Sequence, residues 1–338
     1  MKRSEVKLLL MVLILFFIAA GCKQKEEGPK KMRIAVIPKG TTHVFWKSIH
    51  AGAVKAEEEL KDMSVEIIWK GPLKEDDRES QIRVMEDFIT LGVDAIVLAP
   101  LDDTALRRPV RDAVNRGIPV VIIDSGLKSE DYVSFVATDN YLGGRKGGEH
   151  LAAILGGKGK VVMLRYLEGS DSTMNREQGF LDVLKEKYPG IEVVSSNLYG
   201  GATTESAYQA SENLLAPLRT PDGGLSIEGI FCPNESTVFA MLRALQDSSL
   251  AGKVKYVGFD SSERLVQGLQ SGQIHGLVLQ DPMNMGYLGV KTMVEHLKGQ
   301  KVEKRIDTGS EVATPENMND PKIKSLLEPD YKKWLREE

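Results

Sequence analysis

Polar side chains stand where several apolar runs of this sequence stop. Their chemistry is hydrogen bonding, because carboxylates accept hydrogen bonds while side-chain amides both donate and accept them. A polar residue after a strand can also act as the N-cap of the next helix, which is the competing interpretation for any one of them. Their recurrence at successive run ends favours a shared polar pocket. The residues are Asp124, Asp139, Asn234, Asp260 and Gln280.

The elements that position these residues alternate along the chain. Several β-rich runs are continuously apolar, such as Val120-Val121-Ile122-Ile123, which is typical of parallel strands covered on both faces. Predicted helices lie between the runs, for example at 48–60, 79–91, 175–187 and 236–245. The predicted strands are 33–38, 65–70, 95–100, 119–124, 133–138, 160–165, 191–197, 229–233, 255–260, 274–280 and 305–308.

Repeated β-α units of this kind imply parallel sheets with right-handed crossovers. The series is too long for one sheet, so the sequence predicts an α/β fold with two doubly wound parallel-sheet domains. Ligands of open parallel sheets bind beyond the carboxyl ends of the strands. Two sheets that face each other across a cleft would therefore bring the polar strand ends together.

The amino terminus indicates export. Three cations, Lys2, Arg3 and Lys7, precede an unbroken apolar run of 13 residues at 8–20. This charge and length predict a signal peptide over residues 1–21, because the run is too short to span a bilayer comfortably. No second long apolar run follows in the sequence.

The end of that run resembles the cleavage box of bacterial lipoproteins. It reads Ala19-Ala20-Gly21-Cys22, with Ala19 where leucine is commoner. The resemblance implies that Cys22 becomes the acylated first residue of the mature protein and that 22–31 is a lipidated tether. The alternative is ordinary signal cleavage nearby, which leaves Cys22 unmodified.

Composition excludes some classes of partner. The formal net charge is −4 over 338 residues and no basic block follows the amino terminus, which argues against nucleic acid. Once Cys22 is acylated, Cys232 is the one cysteine with a free thiol, so an intramolecular disulfide is not expected, and its apolar surroundings predict a buried thiol. A mature chain of this length suits two domains.

A series of short motifs runs in order from about residue 34 to residue 312. They are Ile34-Ala35-Val36, Val44-Phe45-Trp46, Ala137-Thr138-Asp139-Asn140-Tyr141-Leu142-Gly143-Gly144, Arg176-Glu177-Gln178-Gly179-Phe180, Asn234-Glu235, Val257-Gly258-Phe259-Asp260 and Gln280-Asp281-Pro282. Each motif is weak by itself. Together they resemble the ribose-binding type of periplasmic sugar-binding protein, which has the type I periplasmic binding fold and serves as the substrate-binding protein of an ABC transporter.

The resemblance implies a domain arrangement. Three crossover segments form a hinge, with Asp139 and Asn140 in it, and the ligand lies in the cleft between the lobes. The implied N-terminal lobe is 32–138 plus 281–309. The implied C-terminal lobe is 139–280 plus 310–320, and a helical tail follows at 321–338. The tail is expected to dock on the surface as one helix.

The resemblance also implies which residues contact the ligand. Phe45 and Trp46 match aromatic positions that stack on a sugar, whose C–H face is apolar; the alternative is that both are core residues. A second group matches positions that bind sugar hydroxyls, and a surface salt bridge is the alternative for the arginine among them. This group is Asp124, Arg176, Asn234, Asp260 and Gln280.

Departures from the ribose binders bear on the ligand. His43 and Ala99 stand at asparagine positions, and Ser125 stands where an arginine follows the aspartate. The segment 199–204 replaces a stretch that brings a further aromatic ring. These changes predict a larger pocket with fewer donors and a hexose or other substituted monosaccharide instead of ribose, with His43 as a new polar contact. The alternative for His43 is a capping or structural role.

The expected function is a substrate-binding lipoprotein that captures a monosaccharide by hinge closure and delivers it to an ABC permease in the cytoplasmic membrane. We expect no catalysis, no cofactor, no metal, a monomer, and a place in the periplasm or on the outer face of the cytoplasmic membrane, anchored through Cys22. One alternative is a sensor that presents bound sugar to a chemoreceptor or sensor kinase. Another, disfavoured because nucleophile and cofactor motifs are lacking, is a sugar-processing enzyme.

Two further motifs predict structure and not chemistry. The glycine-rich stretch 143–148 lacks the phosphate-loop pattern and is expected to open a closely packed helix. Asp102 and Asp103 are expected to cap a turn before Thr104. The five histidines show no metal-ligand spacing.

Overall fold

A computed structural model describes residues 31–336 of the chain. The signal peptide predicted at 1–21 and the acylated Cys22 lie outside the described residues. The strands are β1 Met32–Ile37, β2 Val65–Trp69, β3 Ala95–Leu98, β4 Val120–Ile123, β5 Ser134–Ala137, β6 Lys158–Arg165, β7 Gly190–Tyr199, β8 Gly229–Phe231, β9 Lys255–Phe259, β10 Gly276–Leu279, β11 Arg305–Asp307 and β12 Glu311–Ala313.

Helices separate most of these strands, as the β-α pattern predicts. Two single 3-10 turns, Lys61–Met63 and Ala216–Leu218, accompany them. The α-helices are α1 Val44–Glu59, α2 Arg78–Leu91, α3 Arg107–Asn115, α4 Asn140–Ile154, α5 Asp171–Lys187, α6 Thr204–Leu215, α7 Glu235–Asp247, α8 Glu263–Gln270, α9 Pro282–Leu297, α10 Pro321–Leu327 and α11 Tyr331–Leu335.

The strands form two six-stranded sheets with equivalent strand orders. The first sheet is β11-β5-β4-β3-β1-β2 and the second is β12-β10-β9-β8-β6-β7. All neighbours pair in parallel except β12, which runs antiparallel to β10. We call the part built on the first sheet lobe one and the part built on the second sheet lobe two. This confirms the predicted fold of two doubly wound parallel-sheet domains.

The chain passes between the two sheets at three places. It leaves the first sheet after β5, returns to it for β11 after β10, and leaves it again between β11 and β12. Helix α9, which precedes β11, already packs on lobe one, because its Val290 and Met293 belong to the apolar cluster of that sheet. These three crossings are the hinge segments.

Each sheet is buried on both faces, which explains the continuous apolar runs. In β4, Val121 and Ile123 pack on the side of α1 and α9, while Val120 and Ile122 pack on the side of α2 and α3. Lobe two repeats this arrangement around its own sheet. Cys232, at the end of β8, is a fully buried free thiol as predicted.

The structure departs from the sequence-based expectation at the carboxyl end. Strand β12 was not predicted, because three residues at a sheet edge carry too little pattern. The tail forms two short helices instead of one, and Pro329 lies between them. Ile323 and Leu327 of α10 join the core of lobe two, while α11 lies against α1 of lobe one. Within residues 31–336, none of the helices has the length and apolar character that crossing a membrane requires.

Candidate functional site

A polar cavity lies between the two lobes at the carboxyl ends of both sets of strands. All eight residues proposed from the sequence as ligand contacts line it: His43, Phe45, Trp46, Asp124, Arg176, Asn234, Asp260 and Gln280. Sequence reasoning missed several other residues of the same lining. These are Lys39, Glu75, Tyr166, Ser170, Ser172, Thr173, Glu235 and Ser236.

The two aspartates of the cavity occupy equivalent and unusual positions. Asp124 directly follows β4 and Asp260 directly follows β9, and both have a positive φ, 61° and 69°. Each donates its backbone N–H to the next strand, Asp124 to Val136 O at 3.1 Å and Asp260 to Val278 O at 2.8 Å. A left-handed backbone is costly for a residue other than glycine, and such residues concentrate at functional sites.

Lys39 is the cation that accompanies Asp124. It follows β1, is 4% exposed, and places Nζ 3.0 Å from Oδ2 of Asp124. The same ammonium donates to Ser172 Oγ at 3.1 Å and to Ser170 Oγ at 3.5 Å, both on lobe two. A buried ammonium needs acceptors that replace water, and Lys39 has three of them. Its position after an apolar run is the signal that could have found it.

Arg176 is the cation that accompanies Asp260. It projects from α5, is 2% exposed, and lies with Nη1 3.7 Å from Oδ2 of Asp260. Its Nε donates to Asn140 Oδ1 at 2.8 Å and its Nη1 to Pro233 O at 3.0 Å. The guanidinium stacks 4.0 Å from the ring centroid of Phe259. The Arg176 side chain is therefore buried and hydrogen-bonded. The alternative prediction, a surface salt bridge, is wrong.

The position of Arg176 depends on close helix packing. A Cβ on Gly144 of α4 would lie 1.9 Å from the backbone oxygen of Arg176. Any larger residue there would push α5 away. The glycine-rich stretch 143–148 thus lies inside α4 and sets the distance between α4 and α5, which agrees with the structural interpretation of that motif.

The amide side chains of the cavity are anchored on lobe two. Gln280 donates from Nε2 to Oδ1 of Asp260 at 2.6 Å, and the backbone N–H of Glu235 donates to Oδ2 of Asp260 at 3.1 Å. Burial raises the pKa of Asp260, and the nearby Arg176 guanidinium offsets part of that rise. Asn234 precedes α7 and accepts from Thr237 Oγ1 at 2.7 Å.

The aromatic side of the cavity is held by a carboxylate. Phe45 and Trp46 meet edge to face with ring centroids 5.0 Å apart. Glu75, in the loop between β2 and α2, accepts from Trp46 Nε1 on lobe one and from the Tyr166 hydroxyl on lobe two, each at 2.6 Å. Glu75 therefore fixes the indole and joins the lobes. Burial raises the pKa of Tyr166 well above its usual range, so its hydroxyl stays a donor.

His43 lies between two carboxylates. Its Nε2 is 3.9 Å from Glu75 Oε1 and its Nδ1 is 3.7 Å from Glu235 Oε2. It is the N-cap residue of α1, but its side chain makes no capping hydrogen bond. The geometry therefore favours the polar-contact interpretation of His43 over the capping one.

The other departures have different consequences. Ser125 accepts from the backbone N–H of Ser172 at 3.1 Å, so it helps join the lobes. Ala99 is buried in the core of lobe one. Tyr199 lies outside the cavity lining and is 40% exposed. Lys39 and Tyr166 line the cavity as well, and the enlargement of the pocket stays a prediction.

The two residues predicted to lie in the hinge, Asp139 and Asn140, make hydrogen bonds near the cavity. Asp139 caps α4 by accepting from the Leu142 N–H at 2.9 Å, and its own N–H donates to Asp307 Oδ1 at 3.0 Å. Asn140 joins Arg176 to lobe one, because its Nδ2 donates to Asp124 O at 3.3 Å. Both residues therefore lie where the chain first crosses between the sheets.

The lobes touch each other at the mouth of the cavity, so the structure is a closed arrangement. The backbone N–H of Asp103 donates to Gly169 O at 2.9 Å, and that of Gly126 donates to Asp171 Oδ2 at 3.0 Å. Asp102 accepts from the Thr104 N–H at 2.9 Å, which is the turn role expected for it. Among residues 31–336, no three His, Cys, Asp or Glu side chains are grouped to hold a metal ion.

Known proteins resemble this chain along most of its length. The model of the periplasmic binding protein domain matches residues 34–301. The D-ribose/D-allose-binding protein of Pseudomonas aeruginosa is 30% identical over 287 residues, which cover 83% of this chain and 87% of that protein.

Solved structures show the same similarity in three dimensions. A carbohydrate transporter solute-binding protein from Agrobacterium radiobacter, solved with D-arabinose, is 37% identical with a TM-score of 0.82 and covers 88% of this chain and 99% of its own. An ABC transporter solute-binding protein from Agrobacterium vitis, solved with D-fucose, is 34% identical with a TM-score of 0.81 and covers 88% and 100%.

Proposed function

The chain belongs to the periplasmic binding protein family, and we propose that it is an extracytoplasmic sugar-binding protein that delivers a monosaccharide to an ABC importer. The observation that carries the proposal is the interlobe cavity, which combines an aromatic side with buried hydrogen-bonding groups from both lobes. Aromatic rings suit the apolar face of a sugar, and charged or amide groups suit its hydroxyls. The sugars named for the relatives, which are ribose, allose, arabinose and fucose, are also monosaccharides.

The mechanism of capture is hinge closure. Lys39, Ser125 and Glu75 of lobe one find partners on lobe two in the closed arrangement. In an open form these partners separate, and a sugar binds to one lobe before the other closes on it. A permease then recognises the surface that closure creates. The binding residues are those of the sequence proposal, with Lys39, Glu75, Tyr166 and Glu235 added.

Titration calorimetry with purified mature protein tests this function. The panel includes ribose, allose, arabinose, fucose, glucose, galactose and tagatose. We expect micromolar or tighter binding of at least one member, with a hexose bound more tightly than ribose, and a smaller radius of gyration in small-angle scattering at saturation. Binding of none of these sugars and none of their amino derivatives, or unchanged dimensions on saturation, contradicts the proposal. Tightest binding of ribose contradicts only the hexose preference.

Domain boundaries follow from the same proposal. We assign residues 32–138 and 281–309 to the N-terminal lobe, 139–280 and 310–320 to the C-terminal lobe, and 321–338 to the tail. The division of strands between the two sheets supports the lobes. The contact of Asp139 with Asp307 joins the first and third crossings and supports a hinge there.

Anchoring through Cys22 completes the proposal. The predicted export signal and the cysteine box support a lipoprotein held at the membrane surface. Labelling cells with an alkyne fatty acid is expected to tag the wild-type chain and to leave Cys22→Ala untagged. Equal labelling of both chains contradicts the anchor, while the binding function stands or falls separately.

A further inference from the structure

The charges of the interlobe cavity do not balance. Its lining has four carboxyl groups, on Glu75, Asp124, Glu235 and Asp260, against the two cationic side chains Lys39 and Arg176. Lys39 lies 3.0 Å from Asp124 and Arg176 lies 3.7 Å from Asp260, so each cation has its own carboxylate. Glu75 and Glu235 remain, and only the His43 ring lies between them.

The unpaired polar atoms of this lining are acceptors. Among the described residues, the cavity-lining atoms buried without a hydrogen-bond partner are Oε2 of Glu235 and Oε1 of Gln280. Gln280 is 3% exposed, and its Nε2 donates to the same Asp260 carboxylate that accepts from the Glu235 N–H. Gln280 and Glu235 thus both donate a hydrogen bond to the Asp260 carboxylate. A buried acceptor without a donor costs free energy, so the lining is complementary to a ligand that brings donors and positive charge.

Each cation of the cavity already has a carboxylate partner. Lys39 Nζ has the Asp124 carboxylate and two serine hydroxyls, and the Arg176 guanidinium has Asn140, Pro233 O and Asp260. An acidic sugar would therefore meet the Glu75 carboxylate and the buried Glu235 carboxyl group without gaining a cation that lacks a carboxylate partner. The cavity lining therefore disfavours a negatively charged sugar and does not disfavour a positively charged one.

Resting on the proposed sugar-binding function, we propose that the ligand is an amino sugar whose protonated amine pairs with Glu235. The ammonium supplies the hydrogen that Oε2 lacks, and the Glu75 charge adds attraction. Gln280 Oε1 accepts a second donor from the ligand. Glu235 is thus the residue that selects amine over hydroxyl.

The titration behaviour of Glu235 agrees with this geometry. Burial, with added repulsion from Asp260 and Glu75, raises the pKa of Glu235 to about 8. The groups that face it are His43 from α1, Glu75 from the loop before α2, and Asp260 after β9. Without ligand the carboxyl is mostly protonated at pH 6.5. An arriving ammonium stabilises the carboxylate, so amino-sugar binding releases a proton into the buffer.

Matched ligands test the proposal by calorimetry at pH 6.5. Each amino sugar is compared with its hydroxyl parent and its N-acetyl derivative, using 2-amino, 3-amino and 6-amino derivatives of glucose and the 2-amino derivatives of galactose and mannose. We expect at least one amine to bind 100-fold or more tightly than both neutral counterparts. Repeating the titration in buffers of different ionisation enthalpy is expected to show release of up to about one proton for the amine and none for the parent.

The variant Glu235→Gln is expected to reduce that preference to less than fivefold. Glu149→Gln, a partly exposed carboxylate of α4 paired with Lys187, is the matched control and should leave the preference intact. Thermal melting checks that both variants fold. If neutral sugars bind and every amine binds equally or more weakly, the amino-sugar proposal is wrong while the sugar-binding function stands. If neither class binds, the sugar-binding function itself fails.

Discussion

The two lobes carry an aspartate at the same place in the same strand order. Asp124 follows β4 and Asp260 follows β9, both with a positive φ and both beside a buried cation. The cations differ in what else holds them. Arg176 bonds to Asn140 and Pro233 in its own lobe, whereas Lys39 bonds to Ser170 and Ser172 across the cleft.

This difference divides the cavity into a preformed side on lobe two and a closure-dependent side on lobe one, whose contacts are complete only when the lobes meet. The Arg176 guanidinium keeps Phe259, Pro233 and Asp260 as partners whether or not the lobes meet, since all belong to lobe two. Lys39 gains two of its three acceptors only when the lobes are in contact. Glu75 behaves like Lys39, because the Tyr166 hydroxyl that it accepts from lies on the other lobe. We therefore expect a ligand to meet an ordered surface first on lobe two.

The largest effect is expected from the preformed side. Arg176→Ala removes the guanidinium from the ligand and leaves Asp260 buried without its cation, so we expect affinity to fall by about 2–5 kcal/mol. Titration calorimetry with the tightest sugar of the panel measures it. Arg243→Ala, a half-exposed arginine of the same lobe paired with Asp247, is the control and should change affinity by less than about 0.5 kcal/mol. A loss below tenfold for Arg176→Ala would remove this residue from the binding site.

The closure-dependent side predicts a smaller effect of another kind. Lys39→Met removes the two bonds across the cleft, and we expect affinity to fall by about 1.5–3 kcal/mol. Saturating ligand should also compact this variant less than wild type in small-angle scattering. Lys70→Met, an exposed lysine of lobe one paired with Asp87, serves as control. Normal compaction of Lys39→Met would show that Lys39 does not report closure and would break the contrast between the lobes.

The sequence predicts one side of this contrast better than the other. Strands buried on both faces produce continuous apolar runs, so their ends, and with them Asp124 and Asp260, are visible without a structure. The same rule applied to β1 would have found Lys39, which stands just after Pro38. Tyr166, one residue beyond β6, follows from the same rule.

Glu75 and Glu235 could not be placed in this way. Glu75 lies in a loop, and its place is set by Trp46 and by Tyr166, 91 residues away in sequence. Local pattern carries no information on such a contact. Glu235 begins α7, where an acidic residue is ordinary because the helix dipole favours it. Only the packing of the two lobes reveals that its carboxylate faces the cavity.

The smallest effects are expected from substitutions at the close helix contacts of each lobe, between α4 and α5 in lobe two and between α9 and α1 in lobe one. A Cβ on Gly144 would lie 1.9 Å from Arg176 O, and a Cβ on Gly286 of α9 would lie 2.0 Å from Ile49 O in α1. Gly144→Ala and Gly286→Ala are both expected to lower the free energy of unfolding by roughly 1–3 kcal/mol, because neighbouring backbone must shift. Thermal and urea melts measure this loss.

The two glycine variants should differ in their affinity for the ligand. Gly144→Ala displaces the backbone of Arg176 itself, so its affinity should fall by a further small amount, about 1 kcal/mol. Gly286→Ala moves α1 at Ile49, one turn beyond the aromatic pair, and the Trp46 indole keeps its bond to Glu75. Its affinity is therefore expected to stay within about threefold of wild type. Equal losses in both variants would mean that lobe one is as preformed as lobe two, since a shift in either helix would then reach the ligand.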